Sequence, residues 1–200
     1  MQLYLGFLAS HNGTNLQAII QAWKNKNLKA RPALVISNNS GSGAILRARN
    51  EKIPSYHLSS KTHPDPQELD KAIAVKLKEH KVNLVILAGY MKKIGQHTLN
   101  QFNNRILNIH PALLPAYGGK GMYGNRVHKK VLEAKEKFTG ITIHLVDAEY
   151  DHGPVINQIK IPVLPDDSIK SLKKRVLAAE HKFYVNTLKK IENGIIILPD

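Results

Sequence analysis

Short apolar runs alternate with helically spaced segments through the first half of this chain, and that alternation restricts its fold more than anything else. LYLGFLA (3–9) is suited to a buried strand. After HNGTN comes LQAIIQAWKN, where Leu16, Ile19, Ile20 and Trp23 recur at helical spacing. PALVIS (32–37) predicts the next strand, 41–50 a helix and 53–58 a short strand. Over 66–80, Leu69, Ile73 and Leu77 stand four apart, with Pro66 in the first turn of the helix they define. VNLVILAGY (82–90) predicts a core strand, and 94–102 a helix. Strands separated by helices pair in parallel, because each crossover returns the chain to the same end of the sheet.

The second half changes rhythm. RILNIHPALLPAY (105–117) opens as a strand and runs into a glycine-rich loop over 111–125, before a helix at 126–134. Residues 139–146 alternate, with Ile141, Ile143 and Leu145 on one side, and 154–161 predicts the strand that pairs with them. Leu172, Val176, Ala179, Phe183 and Leu188 mark a long helix, and 195–198 a final strand. The expectation is a three-layer α/β fold in one domain, 1–200. Its Rossmann-like sheet is mostly parallel, with an antiparallel portion in the C-terminal half. Ligands of such sheets collect beyond the carboxyl ends of the strands, where HNGTN, AGYMKK and NIHPALLP stand.

Composition narrows the chemistry. With no cysteine among 200 residues, disulfides, thiolate catalysis and cysteine-ligated zinc are excluded, and a reducing cytoplasm fits. No apolar run approaches the roughly 20 residues that span a bilayer. MQLYLGFLAS lacks a basic leader, so it is read as a strand rather than a secretory peptide. The net charge of +14 is spread over both halves without a basic tail, which favours a solvated basic surface over a dedicated nucleic-acid face or a general attraction for anionic small molecules. His110, His128, His144, His152 and His181 show no ligand spacing, and no metal is expected. The sequence contains neither GxSxG nor GxGxxG nor a P-loop.

Two stretches carry candidate chemistry. In HNGTN, Gly13 permits a close or left-handed approach, Thr14 and Asn15 offer donors, and the following helix starts with unpaired N–H groups, as a monophosphate requires. An ordinary Asn-Gly turn with Thr14 or Asn15 capping the helix fits equally well. Asn108 and His110 are two apart in an extended segment and so face the same way. An amide donor beside an imidazole suits a reaction that develops charge on a carbonyl oxygen, although both side chains could simply satisfy backbone groups. Asp147, Glu149 and Asp151 in DAEYDHGP could complete the set, and spacing does not choose among them.

NGTNLQAII (12–20), LAGYMKKI (87–94), RILNIHPALLPAY (105–117), GITIHLVDAEYDHGPVI (140–156) and AAEHKFY (178–184) together make the chain resemble the folate-dependent formyltransferases over essentially its whole length. The resemblance implies transfer of the formyl group of 10-formyltetrahydrofolate to the amine of glycinamide ribonucleotide in de novo purine biosynthesis. It implies a nucleotide-phosphate half over about 1–100 and a catalytic, folate-binding half over about 101–200. Asn108, His110 and Asp151 match the family's catalytic positions. Asn12, Gly13, Thr14 and Asn15 match its phosphate loop, and Glu180 its ribose-binding acid. Tyr90, Met91, Lys92 and Ile94, with Asp147, Ala148, Glu149 and Tyr150, match its folate pocket. His144 matches a histidine lying behind the catalytic residues. A cytoplasmic monomer or weak homodimer is expected, with two small-molecule substrates and no metal, membrane or nucleic acid.

There are departures from the family pattern. His11 stands where glycine is common. Pro66 replaces an arginine near the substrate phosphate, a charge that Lys61 or His63 could restore. The loop YGGKGMYGNRVH (117–128) differs from the shorter common version. Formylation of another amine, such as that of methionyl-tRNA, is the alternative within the family. It normally involves a further C-terminal domain, for which 200 residues leave no room. Formyltetrahydrofolate deformylases normally add an N-terminal domain, whereas the first strand here starts at residue 3. A non-catalytic basic nucleic-acid-binding protein is the alternative outside the family; its binding would weaken steeply with salt.

Overall fold

A computed structural model describes residues 2–200. Seven strands form one sheet in the order β3-β2-β1-β4-β5-β6-β7. The first five, β1 (Tyr4–Ala9), β2 (Arg31–Ser37), β3 (Ser55–His57), β4 (Leu84–Leu87) and β5 (Ile106–His110), run parallel. β6 (Phe138–Leu145) and β7 (Val155–Pro162) continue the sheet antiparallel. The connecting helices are α1 (Thr14–Lys24), α2 (Gly43–Asn50), α3 (Pro66–Glu79), α4 (Gln96–Gln101), α5 (Asn125–Glu133) and α6 (Ile169–Glu192).

The strands sort their side chains by parity, as the pleat requires. Leu5, Phe7 and Ala9 of β1, Leu84 and Ile86 of β4, and Leu107 of β5 face one layer, filled by α1, α2, α5 and α6. Leu8, Val85, Leu87 and Ile106 face the other, filled by Ile73 and Leu77 of α3 and by Phe102 after α4. Asp70, buried in α3, joins the two helices of this second layer. Its carboxylate accepts the His97 N–H at 2.7 Å and the Thr98 hydroxyl at 2.5 Å, serving the start of α4, where Gly95 has no side chain to offer.

Strand order reverses between β1 and β4, which opens a crevice at their carboxyl ends. The sequence expectations hold to within a few residues except at 195–198, which form no strand. There the chain leaves α6 through Gly194, and the Ile195 and Ile196 N–H groups are taken by the Lys190 carbonyl at 2.8 and 3.1 Å. Both donors are thus committed to the end of the helix, and Ile195 and Ile197 stay exposed.

Candidate active site

Because Ile106, Asn108 and His110 share one face of β5, the strand's last turn brings an amide and an imidazole to the crevice side by side. The β6–β7 turn returns over them. Its left-handed residue Asp151 (φ 56°) points a carboxylate inward, with the side chain only 11% exposed. Asp151 Oδ1 lies 3.4 Å from Asn108 Nδ2 and 3.5 Å from His144 Nε2. Asp151 Oδ2 lies 3.4 Å from His110 Nδ1 and accepts the Gly119 N–H at 3.0 Å. Of the three acids the sequence left open, only this one joins Asn108 and His110. Asp147 instead accepts the Glu149 N–H at 2.8 Å and pairs with His152 at 2.9 Å on the surface.

The partners fix the tautomers. His110 Nε2 lies 2.8 Å from the Tyr117 carbonyl. A carbonyl only accepts, so Nε2 carries the hydrogen and Nδ1 is the nitrogen that gains or loses a proton beside Asp151. In the same way His144 Nδ1–H donates to the Leu145 carbonyl at 2.8 Å, leaving Nε2 to accept an Asn108 N–H at 3.1 Å. Burial holds the His110 pKa below the usual imidazole range, against the pull of Asp151 and of the Tyr117 carbonyl. The neutral ring is therefore the resting form near pH 7. Burial raises the Asp151 carboxyl, but the neighbouring His144 and His110 rings and the Gly119 N–H outweigh it and hold the carboxyl below its ordinary value.

At the switch point, Gly13 precedes α1 in the left-handed region (φ 64°). A Cβ there would stand 2.9 Å from that of Ala44, so both conformation and space demand glycine. Neither Thr14 nor Asn15 caps the helix. Asn15 instead donates from Nδ2 to Glu180 Oε2 at 3.1 Å, and its own Oδ1 is buried without a partner. Burial pushes the Glu180 carboxyl up to about 7, opposed by the Asn15 N–H. Arg47 of α2 braces the loop, donating to the Asn12 carbonyl at 2.8 Å.

A cavity of about 550 Å³ unites these groups. Asn15, Tyr90, Met91, Asn108, His110, Tyr150, Asp151 and Glu180 all line it. Sequence reasoning passed over His128, Lys173 and Leu177, which line it too. Lys173, Leu177 and Glu180 fall at i, i+4 and i+7 on α6, a spacing that was visible in the sequence. Lys92 and Ile94 line an adjoining cavity of about 460 Å³ that shares Tyr90, and Lys61, His63 and Pro66 lie there as well, away from Asn15. Asp147, Ala148 and Glu149 line neither. Among the described residues, no helix is long and apolar enough to cross a membrane.

Comparison with known proteins identifies the family. The sequence pattern of the formyl transferase family matches residues 5–188. The chain is 39% identical over 186 residues to the chloroplastic phosphoribosylglycinamide formyltransferase of Vigna unguiculata; the match covers 92% of this chain, which spans only 59% of that relative's length. It is 36% identical over 196 residues to the phosphoribosylglycinamide formyltransferase of Haemophilus influenzae, covering 98% of this chain and 90% of the relative. The crystal structure of glycinamide ribonucleotide transformylase 1 from Symbiobacterium toebii superposes with a TM-score of 0.91 at 36% identity, over 99% of this chain and 91% of that one. By sequence and by fold, this chain belongs to the formyl transferase family.

Proposed function

We propose that this chain moves the formyl group of 10-formyltetrahydrofolate to the primary amine of glycinamide ribonucleotide, a step of purine biosynthesis, as the names of its relatives in Haemophilus influenzae and Vigna unguiculata suggest. The observation that carries the reading is the convergence of Asn108, His110 and Asp151 in a cavity that also holds the Asn15–Glu180 pair. Its volume lies within the range of small-molecule sites, about 300–1,000 Å³.

In this reading the uncharged amine attacks the formyl carbon, and negative charge grows on the formyl oxygen. An N–H of Asn108 turns from Asp151, its longer partner, to that oxygen. His110 starts neutral. Its Nδ1 takes the proton lost by the amine, Asp151 stabilises the imidazolium, and the same proton passes to the folate nitrogen as the carbon–nitrogen bond breaks. One nitrogen thus serves as base and then as acid, while the Tyr117 carbonyl holds the other. The N–H groups that begin α1 receive the phosphate. Glu180 accepts ribose hydroxyls, and Tyr90, Met91 and Tyr150 border the folate. That division puts the phosphate on the first half of a single domain and the catalytic residues on the second, with the folate bordered by residues of both. The chain works as a monomer or weak homodimer in an aqueous compartment such as the cytoplasm.

The test is to incubate the purified chain with glycinamide ribonucleotide and 10-formyltetrahydrofolate, with methionyl-tRNA as a competing acceptor. Equal release of formylated ribonucleotide and tetrahydrofolate is expected. Preference for the tRNA would overturn the choice of substrate.

A further inference from the structure

The loop after β5 holds both members of the ionisable pair through its backbone. The Tyr117 carbonyl takes His110 Nε2–H at 2.8 Å, and two residues later the Gly119 N–H binds Asp151 Oδ2 at 3.0 Å. Tyr117 does this from the left-handed region, φ 58°, which is costly for a residue with a bulky side chain. Its side chain helps to hold it there, the ring packing against the core and the hydroxyl finding a partner beyond it. Tyr117 Oη donates to Glu136 Oε1 at 2.8 Å, in the turn between α5 and β6. Tyr117 does not line the catalytic cavity, so neither substrate explains its conformation.

From this arrangement we infer that Tyr117, clamped by Glu136, is a positioning residue for His110: the clamp keeps the peptide turned so that its carbonyl selects the Nε2–H tautomer and leaves Nδ1 for the chemistry. This rests on the proposed formyl transfer only in so far as His110 acts in that reaction; the clamp itself is independent of the substrate. The logic matches that of a buried carboxylate orienting a catalytic imidazole, with a peptide carbonyl in its place. Without the Tyr117 hydroxyl, or without an acceptor at 136, the peptide relaxes toward negative φ and the carbonyl swings off the ring. His110 then divides between tautomers, and its protonated form loses an acceptor.

The experiment compares Tyr117→Phe, Glu136→Ala and Glu136→Gln with the parent chain, after thermal melts establish that each is folded. The direct readout is the ¹⁵N spectrum of the His110 ring across pH. The parent is expected to show Nε2–H as the neutral form. Y117F and E136A are expected to show a mixture and a His110 titration displaced to lower pH, while E136Q, which keeps an acceptor oxygen, restores the parent spectrum. In the formyl transfer assay, Y117F and E136A should lower kcat about two- to tenfold, the range one hydrogen bond supplies, with both KM values within about twofold. A purely structural tyrosine would lower the melting temperature and leave tautomer and titration unmoved. An unchanged His110 spectrum in folded Y117F and E136A overturns the inference. If the parent chain transfers no formyl group, the functional reading fails, yet the spectra still decide the clamp.

Discussion

His110 Nδ1 and Asp151 Oδ2 stand 3.4 Å apart, one at the end of β5 and the other in the turn beyond β6. The antiparallel pairing of β5 with β6, which sets Asn108 opposite His144 and His110 opposite Thr142, brings that turn back over the strand end. Backbone register is thus the cause of the contact, which forms where the register delivers the two side chains.

Removing members of this group should separate their roles. Asn108→Ala should lower kcat by about 10²–10³-fold, the usual loss of one oxyanion donor. Asp151→Asn is nearly isosteric and should cost about 10²–10⁴-fold through lost proton handling. It should also move the acid limb of kcat/KM to lower pH, because His110 loses the neighbour that favours its charge. Steady-state kinetics between pH 5 and 9 measure both.

Two buried groups of the cavity should tilt stability with pH in opposite directions. Glu180 has its folded pKa raised, to about 7, by burial. The folded state therefore binds the extra proton, and stability falls by roughly 2–3 kcal/mol as pH rises from about 4.5 to about 7. His128 has its pKa lowered to about 4 by burial, with Lys173 and His110 adding to the effect. The unfolded chain then binds the extra proton, and stability rises over about pH 4 to 6.5 by ~1–2 kcal/mol, reduced by water reaching the ring through the cavity mouth. In the parent chain the slopes offset each other. Denaturant titrations should show a rise with pH in Glu180→Gln and a fall in His128→Gln.

Two glycines should respond differently to a methyl group. Gly13→Ala meets Ala44 and an unfavourable φ at the phosphate loop, so it should raise the ribonucleotide KM with a smaller effect on kcat. Gly118→Ala places its Cβ 2.5 Å from Leu114 Cδ2 and 3.2 Å from Asp151 Cβ. It should lower kcat and cost about 1–3 kcal/mol of overpacking, a fall in Tm of roughly 2–12 °C. Kinetics with each substrate varied in turn, beside calorimetry, separate the two cases.

The strands and helices were legible in the sequence because their signal is periodic. Leu5, Phe7 and Ala9 alternate, and Leu69, Ile73 and Leu77 repeat every turn. Asn108 and His110 could be paired from a spacing of two within one strand. Choosing Asp151 over Asp147 needed the resemblance to a family, because the choice depends on which acid of a turn points inward. That is settled by a left-handed residue and by the Gly119 N–H across space. The 117–128 loop gave no periodic signal, so its carbonyl on His110 stayed hidden. The 195–198 run misled because three isoleucines and a leucine suggest a strand, whereas the preceding helix had already claimed the N–H groups of Ile195 and Ile196.

The most direct test of the central claim is single-turnover formyl transfer by the parent chain and by His110→Ala, with 10-formyltetrahydrofolate and glycinamide ribonucleotide both saturating. The account predicts one tetrahydrofolate released per formylated amine in the parent, and a rate lower by about 10²–10⁴-fold in the variant. Parent-like transfer by a folded H110A protein would contradict it.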